Sequence, residues 1–346
     1  MSETLPLERP GLMLKQMRVW RLWCAVLLVG LALPPAAMAD EPAVPELKVR
    51  TVVSTKDGEK QPVRVWVPES ATSQPTPLLI SLHTWSADYR QDRSPWVREA
   101  VKRGWIYVQP NFRGRNDNPA ACGSELARQD VIDALDWARR TWKVDDERIY
   151  LAGVSGGGHM TMLMAGYHPE RFSAVSAWVG ISDLGEWYRF HSRNGEVGNY
   201  ARMVAACCGG APGASAAVDA EYEARSPINV IGRVGDLRVD LNAGVKDGKT
   251  GSVPIHHTLR AYNAIASAGG HPTISDAEMD YLWEHGRLAS PQPGDEVDDP
   301  TYGREIWLRR KAGPARVTIF EGGHEGLPEA ACAWLEQQSR PTRHGE

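Results

Sequence analysis

The residues Gly153-Val154-Ser155-Gly156-Gly157 set a serine between glycines two positions to either side. A buried-strand pattern, Arg148 to Ala152, leads into this turn, and a helix-forming run, His159 to Tyr167, leads out. A serine at the apex of a strand–turn–helix elbow stands above a sheet edge, with the N–H of Gly156 and a helix N-terminus aimed at a developing oxyanion. The turn is so tight that its flanking positions leave no room for side chains, which accounts for the glycines. A serine hydroxyl is a poor nucleophile at neutral pH, so this chemistry also needs a base and an orienting acid, in the chain order Ser–Asp–His. His324 meets the first need. It lies in Glu321-Gly322-Gly323-His324-Glu325-Gly326, after the strand pattern Val317 to Phe320 and shortly before a terminal helix. For the acid, Asp247 follows the strand pattern ending near Leu241, in Ala243-Gly244-Val245-Lys246-Asp247-Gly248. Asp183, just after the strand pattern ending near Val179, occupies the other place such an acid can hold. Asp240 is expected to point sideways from within its strand.

Positioning three such side chains calls for parallel strands ending at one edge. The alternation Val63-Arg64-Val65-Trp66-Val67 reads as a half-exposed strand that can pair with Val49 to Val53 as a hairpin. Beyond it, Pro77 to Leu82, Trp105 to Val108, Arg148 to Ala152, Ala174 to Val179, Leu237 to Leu241 and Val317 to Phe320 read as buried strands. Helical spacing falls between several of them, as in the run Val131, Leu135, Ala138, Trp142 after a capping Ser124. Strands separated by helices imply a mostly parallel central sheet covered on both faces. Two longer connecting segments, about 184–226 and about 268–312, break the alternation and are candidates for a lid or for surface decoration.

The whole chain has 346 residues, 42% hydrophobic and 24% charged, with a formal net charge of −4. That balance suits a folded enzyme or binding domain and offers no basic face for nucleic acid. Arg9, Lys15, Arg18 and Arg21 precede an apolar run, Leu22 to Leu33, and the segment closes on Ala37-Met38-Ala39. This pattern predicts a signal peptide over residues 1–39, a catalytic domain over 40–346, and export to a bacterial periplasm or beyond. The run is too short to be a stable membrane anchor. Export leaves Cys122, Cys207, Cys208 and Cys332, an even set that an oxidising compartment would favour as disulfides. Adjacent Cys207 and Cys208 rarely pair with each other, so two bridges would reach Cys122 and Cys332. No metal and no organic cofactor is expected: His256-His257 is adjacent at a helix start, which points the rings apart, and no phosphate-binding or dinucleotide-binding glycine loop is present.

Ser155, Asp247 and His324 with their surroundings resemble the α/β-hydrolase superfamily, and specifically the catalytic domain of prolyl oligopeptidase-type proteins and related secreted esterases. Asn111-Phe112-Arg113-Gly114 is similar to a loop of that group, Gln129-Asp130-Val131 to the start of its next helix, and Ser226-Pro227-Ile228 to its Ser-Pro before a lid helix. Asp247 followed by Val253-Pro254 resembles its acid loop with a short insertion. The likeness spans residues 60–340. It implies an α/β-hydrolase fold and an oxyanion hole made by the Gly156 N–H with a second backbone N–H from Thr84 or Trp85. Here His83-Thr84-Trp85 stands where the family has His-Gly-Gly. The family's peptidases add a propeller that has no counterpart in this sequence, which shifts the expected substrate from peptides towards esters.

With 13 Trp against 4 Phe, and with Trp187 and Trp283 in the two long segments as possible substrate-lining residues, an ester of a sugar or aryl group is the expected substrate. A small peptidase or amidase, or a carbohydrate-binding scaffold without turnover, are the other readings.

Overall fold

The computed structural model describes residues 43–193 and 195–340. The expected signal peptide lies outside them. The chain opens on a hairpin, β1 (Lys48–Val53) and β2 (Lys60–Trp66), in which Val49 faces Arg64. There follow β3 (Thr76–Leu82), β4 (Ile106–Pro110), β5 (Val144–Val154), β6 (Ala174–Trp178), β7 (Arg238–Gly244), β8 (Ile306–Ala312) and β9 (Ala315–Phe320). They form one sheet in the order β1-β2-β4-β3-β5-β6-β7-β9-β8. The six central strands run parallel; at the edges β2 and β8 run against them, and β1 pairs antiparallel with β2.

The crossovers are helical, because parallel neighbours cannot be joined by a tight turn. They are α1 (Ser94–Arg103), α2 (Glu125–Thr141) and α3 (Gly156–Tyr167), with α9 (Pro328–Glu336) closing the chain. Helix α1 packs on α9, and α2 packs on α3. Ser124 caps α2, its Oγ accepting from the Ala127 N–H at 3.1 Å. Every residue of β3, β4, β6 and β9 is buried, as expected of a sheet covered on both faces. Asp240 does point sideways: its carboxylate takes hydrogen bonds from Ser176, Asn242 and Arg316 inside the sheet.

The two long segments separate in character. Residues 184–226 fold into α4 (Leu184–Phe190), α5 (Asn199–Cys208) and α6 (Ala216–Arg225). Their apolar faces build a second core with Trp85, Cys122 and Val253, distinct from the main one. Residues 268–312 instead supply α8 (Asp276–His285), which follows α7 (His256–Ala268), and then the edge strand β8. This segment is therefore partly sheet, which the sequence pattern did not indicate. Among the described residues no helix is long and apolar enough to cross a membrane.

The four cysteines are buried thiols in this structure, so the two-bridge expectation is corrected. Cys332 sits in α9 within the main core, whereas Cys122, Cys207 and Cys208 share the second core. A bridge to Cys332 from any of the others would have to cross between cores. Burial pushes the Cys122 and Cys332 thiols up, and Cys208 up to about 12, so none of these three is poised to react as a thiolate.

Two buried imidazoles tie the second core to the main one. His159, on α3 one turn after Ser155, donates through Nε2 to the Arg225 carbonyl at 2.8 Å. His257, on α7, accepts at Nδ1 from the Ser182 N–H at 3.3 Å. Burial holds both at about 4, below the ordinary value of 6.5. Between those values the unfolded chain binds more protons than the folded one, so stability is fully present above pH 6.5 and declines as pH falls towards 4. At pH 5 the pair should take up about two protons on unfolding. Denaturant midpoints measured between pH 7 and pH 5 check this. A midpoint that stays flat over that interval contradicts it.

Candidate active site

β5 runs straight into the elbow, and Ser155 sits at its apex with φ 60° and ψ −117°. This is a sparsely populated conformation for a residue with a side chain, held here by its surroundings. The Ser155 N–H donates to the Trp178 carbonyl on the neighbouring strand at 2.8 Å. A Cβ on Gly153 would lie 2.3 Å from the Gly157 carbonyl, so the turn closes only with glycine there.

Asp247 and His324 lie beyond the same edge of the sheet, after β7 and β9. The two strands are paired in register to their last residues, Gly244 against Phe320. His324 Nδ1 lies 2.7 Å from Asp247 Oδ2. Asp247 is fully buried, and its Oδ1 accepts the N–H groups of Gly248 at 2.9 Å and Val253 at 3.1 Å. A carboxylate so fixed requires a proton on Nδ1 of the imidazole and leaves Nε2 as the acceptor. Gly326, just past His324, packs on Val154 and Trp178 beside the elbow. Asp183 is not brought to His324. Its side chain caps α4, accepting from the Glu186 N–H at 2.8 Å.

The loop after β3 comes close to the elbow. A Cβ on Gly156 would stand 2.5 Å from both the N and the Cα of Trp85. The two candidate donors in this loop differ. The Thr84 N–H is already given to Gln91 Oε1 at 2.9 Å, whereas no hydrogen bond engages the Trp85 N–H among the described residues. Of the two, Trp85 keeps its backbone N–H unengaged beside Gly156 among the described residues, and Thr84 does not. Gly156→Ala should push this loop away and lower kcat by about 10²–10³-fold, the scale for losing an oxyanion donor. Steady-state kinetics on an activated acetate ester would show it.

The aromatic residues divide as well. Trp187 is 1% exposed, packed edge-on against Trp85 with centroids 4.6 Å apart, and its indole donates to the Ser252 carbonyl at 2.8 Å. It belongs to the second core and does not line an open surface, correcting the expectation from sequence. Trp283 is half-buried and donates to the Asp247 carbonyl at 2.9 Å. With Trp307 and Lys249 it lines a cleft of about 590 Å³ beside the acid loop. Trp307 had carried no signal in the sequence beyond its residue type. Ser252 was likewise missed: its Oγ lies 3.3 Å from His324 Nε2.

The loop Asn111–Gly114 has a structural part. Arg113, at φ 74°, pairs with Asp130 of α2 and with Asp57, both at 2.7 Å, pinning α2 to the first hairpin turn. His256 and His257 face different partners, Asp280 and Ser182. Ser226 Oγ accepts from the Leu184 N–H at 2.9 Å, holding the start of α4.

Comparison with known proteins agrees with this architecture. The profile of the X-Pro dipeptidyl-peptidase (S15) family matches residues 57–211. An acetylxylan esterase of Coprinopsis cinerea is 28% identical over 159 residues, 42% of this chain and 42% of that protein. Dipeptidyl aminopeptidase BIII of Pseudoxanthomonas mexicana is 25% identical over 168 residues, 42% of this chain and 23% of that protein. The chain thus aligns with less than half the length of either relative. Among solved structures, Pyrococcus horikoshii acylaminoacyl peptidase superposes with a TM-score of 0.57 at 15% identity, over 87% of this chain and 43% of that one. From fold, profile and relatives together, the chain has the α/β-hydrolase fold and is similar to serine hydrolases, esterases and peptidases alike, with prolyl oligopeptidase-type catalytic domains among its structural neighbours.

Proposed function

We propose that the protein is an exported carboxylesterase acting on an ester of a saccharide, through Ser155, His324 and Asp247. The observation that carries this reading is the 2.7 Å Asp247–His324 couple at the sheet edge where the strained Ser155 elbow ends. In this reaction Ser155 Oγ attacks the acyl carbonyl while His324 Nε2 takes its proton, and Asp247 stabilises the imidazolium that forms. The N–H groups of Gly156 and Trp85 hold the tetrahedral oxyanion. His324 then protonates the leaving alcohol, and water, activated by the same imidazole, releases the acyl group. No step requires a metal or an organic cofactor.

An ester of a sugar is favoured by two observations. Relatives that match the chain include acetylxylan esterases. The cleft bearing Trp283 and Trp307 opens beside the acid loop, where the saccharide beyond the scissile ester has aromatic faces to stack on. Trp307→Ala should raise KM about tenfold for acetylated xylo-oligosaccharides and by a smaller factor for p-nitrophenyl acetate, as one lost stacking contact would do. Equal changes for both substrates would remove the cleft from the binding site. Export rests on the basic and apolar pattern of residues 9–39.

The first test is the reaction of the purified protein with a fluorophosphonate, read by intact mass beside Ser155→Ala. A single adduct on the wild type and none on the variant supports an activated Ser155. No adduct on either counts against the reaction and favours a scaffold that binds without turnover.

A second reading, a small peptidase, is favoured by the S15 profile match. Release of amino acids or dipeptides from a peptide panel, lost in Ser155→Ala, would establish it over the esterase.

A further inference from the structure

His324 Nε2 offers one lone pair, and in the reaction proposed above that lone pair must accept the Ser155 hydroxyl. Among the described residues the hydroxyl hydrogen-bonded to it is Ser252's, at 3.3 Å. With Asp247 requiring the proton on Nδ1, the Ser252 O–H is the donor and Nε2 the acceptor.

Ser252 reaches this point because of the loop it ends. Between Asp247 and Val253 the chain runs Gly248-Lys249-Thr250-Gly251-Ser252 and folds back across the Asp–His couple. A Cβ on Gly251 would fall 2.2 Å from Asp247 Oδ1 and 2.6 Å from His324 Cβ. Only glycine allows so close a passage. The backbone of Ser252 is then clamped from the other side by α4. Its carbonyl accepts from Trp187 Nε1 at 2.8 Å and from His191 Nε2 at 2.9 Å. His191 ends α4, its N–H donating to the Trp187 carbonyl at 3.1 Å, which brings the two side chains to one side. Trp187 in turn packs against Trp85, whose backbone N lies beside Gly156.

We propose that Ser252 is a positioning residue that occupies the acceptor of His324 in the resting protein, and that α4 sets this hold through Trp187 and His191. Ser155 and Ser252 then compete for one lone pair. Helix α4 and its end, by fixing the Ser252 carbonyl, decide how readily the base turns to the nucleophile. This inference rests on Ser155 and His324 acting as proposed above.

The test is the second-order rate of fluorophosphonate labelling at Ser155, followed by intact mass on the full chain. Ser252→Ala should label about two- to tenfold faster than wild type, the range for removing one competing neutral hydrogen bond. Ser252→Thr, which restores a hydroxyl, should return the rate towards wild type. Trp187→Phe keeps an aromatic ring, though a smaller one, and loses the donor to the Ser252 carbonyl. It should label faster by itself and add nothing to Ser252→Ala. A Ser252→Ala rate equal to or below wild type, or full additivity of the two changes, overturns the proposal while leaving Ser155 as nucleophile. Labelling absent from wild type but present in Ser252→Ala supports it in its strongest form. Labelling absent from both overturns the nucleophile assignment and this inference with it.

Discussion

Ser155→Ala should lower kcat on an ester substrate by about 10⁴–10⁶-fold while leaving the thermal midpoint close to wild type. The expected loss is large because the oxyanion donors and the Asp–His couple have no nucleophile to activate without Oγ, and water must replace it unaided. The fold should survive, for what holds the elbow is backbone: the Ser155 N–H to the Trp178 carbonyl, and the close passage of Gly153 by Gly157. Alanine keeps both. Its backbone must adopt the same φ of 60°, so whatever strain the serine carries is retained. The measurement is kcat and kcat/KM on a p-nitrophenyl ester with a melting curve on the same sample. Residual activity within tenfold of wild type would mean that hydrolysis occurs elsewhere on the molecule.

Asp247→Asn is expected to cost about 10⁴-fold in kcat with the site otherwise intact. The argument is one of proton placement. The asparagine oxygen can still accept from Gly248 and Val253, as Oδ1 of the acid does. Its amide NH₂ must then face His324 Nδ1, where the carboxylate Oδ2 sits in the native protein. An N–H donor there forces Nδ1 to accept, so the imidazole proton moves to Nε2, and Nε2 can no longer take a proton from Ser155. Asp247→Ala removes the orientation as well and leaves two buried N–H groups unpaired, so it should lose stability in addition. Asp183→Asn is the control. That side chain caps α4 and makes no hydrogen bond to His324 among the described residues, so kcat should fall at most severalfold. If Asp183→Asn were the more damaging of the two in kcat, the acid assignment would reverse.

The reach of sequence reasoning differs by the kind of feature. The elbow was legible because its requirements are local: a buried strand, two glycines and a helix within twenty residues. His324 and Asp247 were legible for a related reason, since each lies in a glycine-bearing loop directly after a hydrophobic strand, and parallel strands of one sheet deliver such loops to one edge. The core strands read correctly because burial on both faces leaves an unbroken apolar run. β8 did not, because an edge strand such as Ile306–Ala312 alternates buried positions with Arg309, Arg310 and Lys311 and resembles any exposed segment.

What the amino-acid sequence determined by itself is therefore the fold class, the α/β alternation that produces it, and the positions along the chain where a nucleophile, an acid and a base could stand. Tertiary structure decided how those positions are equipped. It spent the Thr84 N–H on Gln91 and left that of Trp85 beside Gly156. It buried Trp187 in a second core while leaving Trp283 at a cleft, and it set Cys332 apart from the other three thiols. It also laid Ser252 against His324, 72 residues away. The physical reason is common to all four. Hydrophobic periodicity and turn chemistry act between near neighbours and can be read in order along the chain. Whether one N–H, indole, thiol or hydroxyl is satisfied, buried or free depends on groups brought to it from distant loops, and only the packed fold makes those encounters.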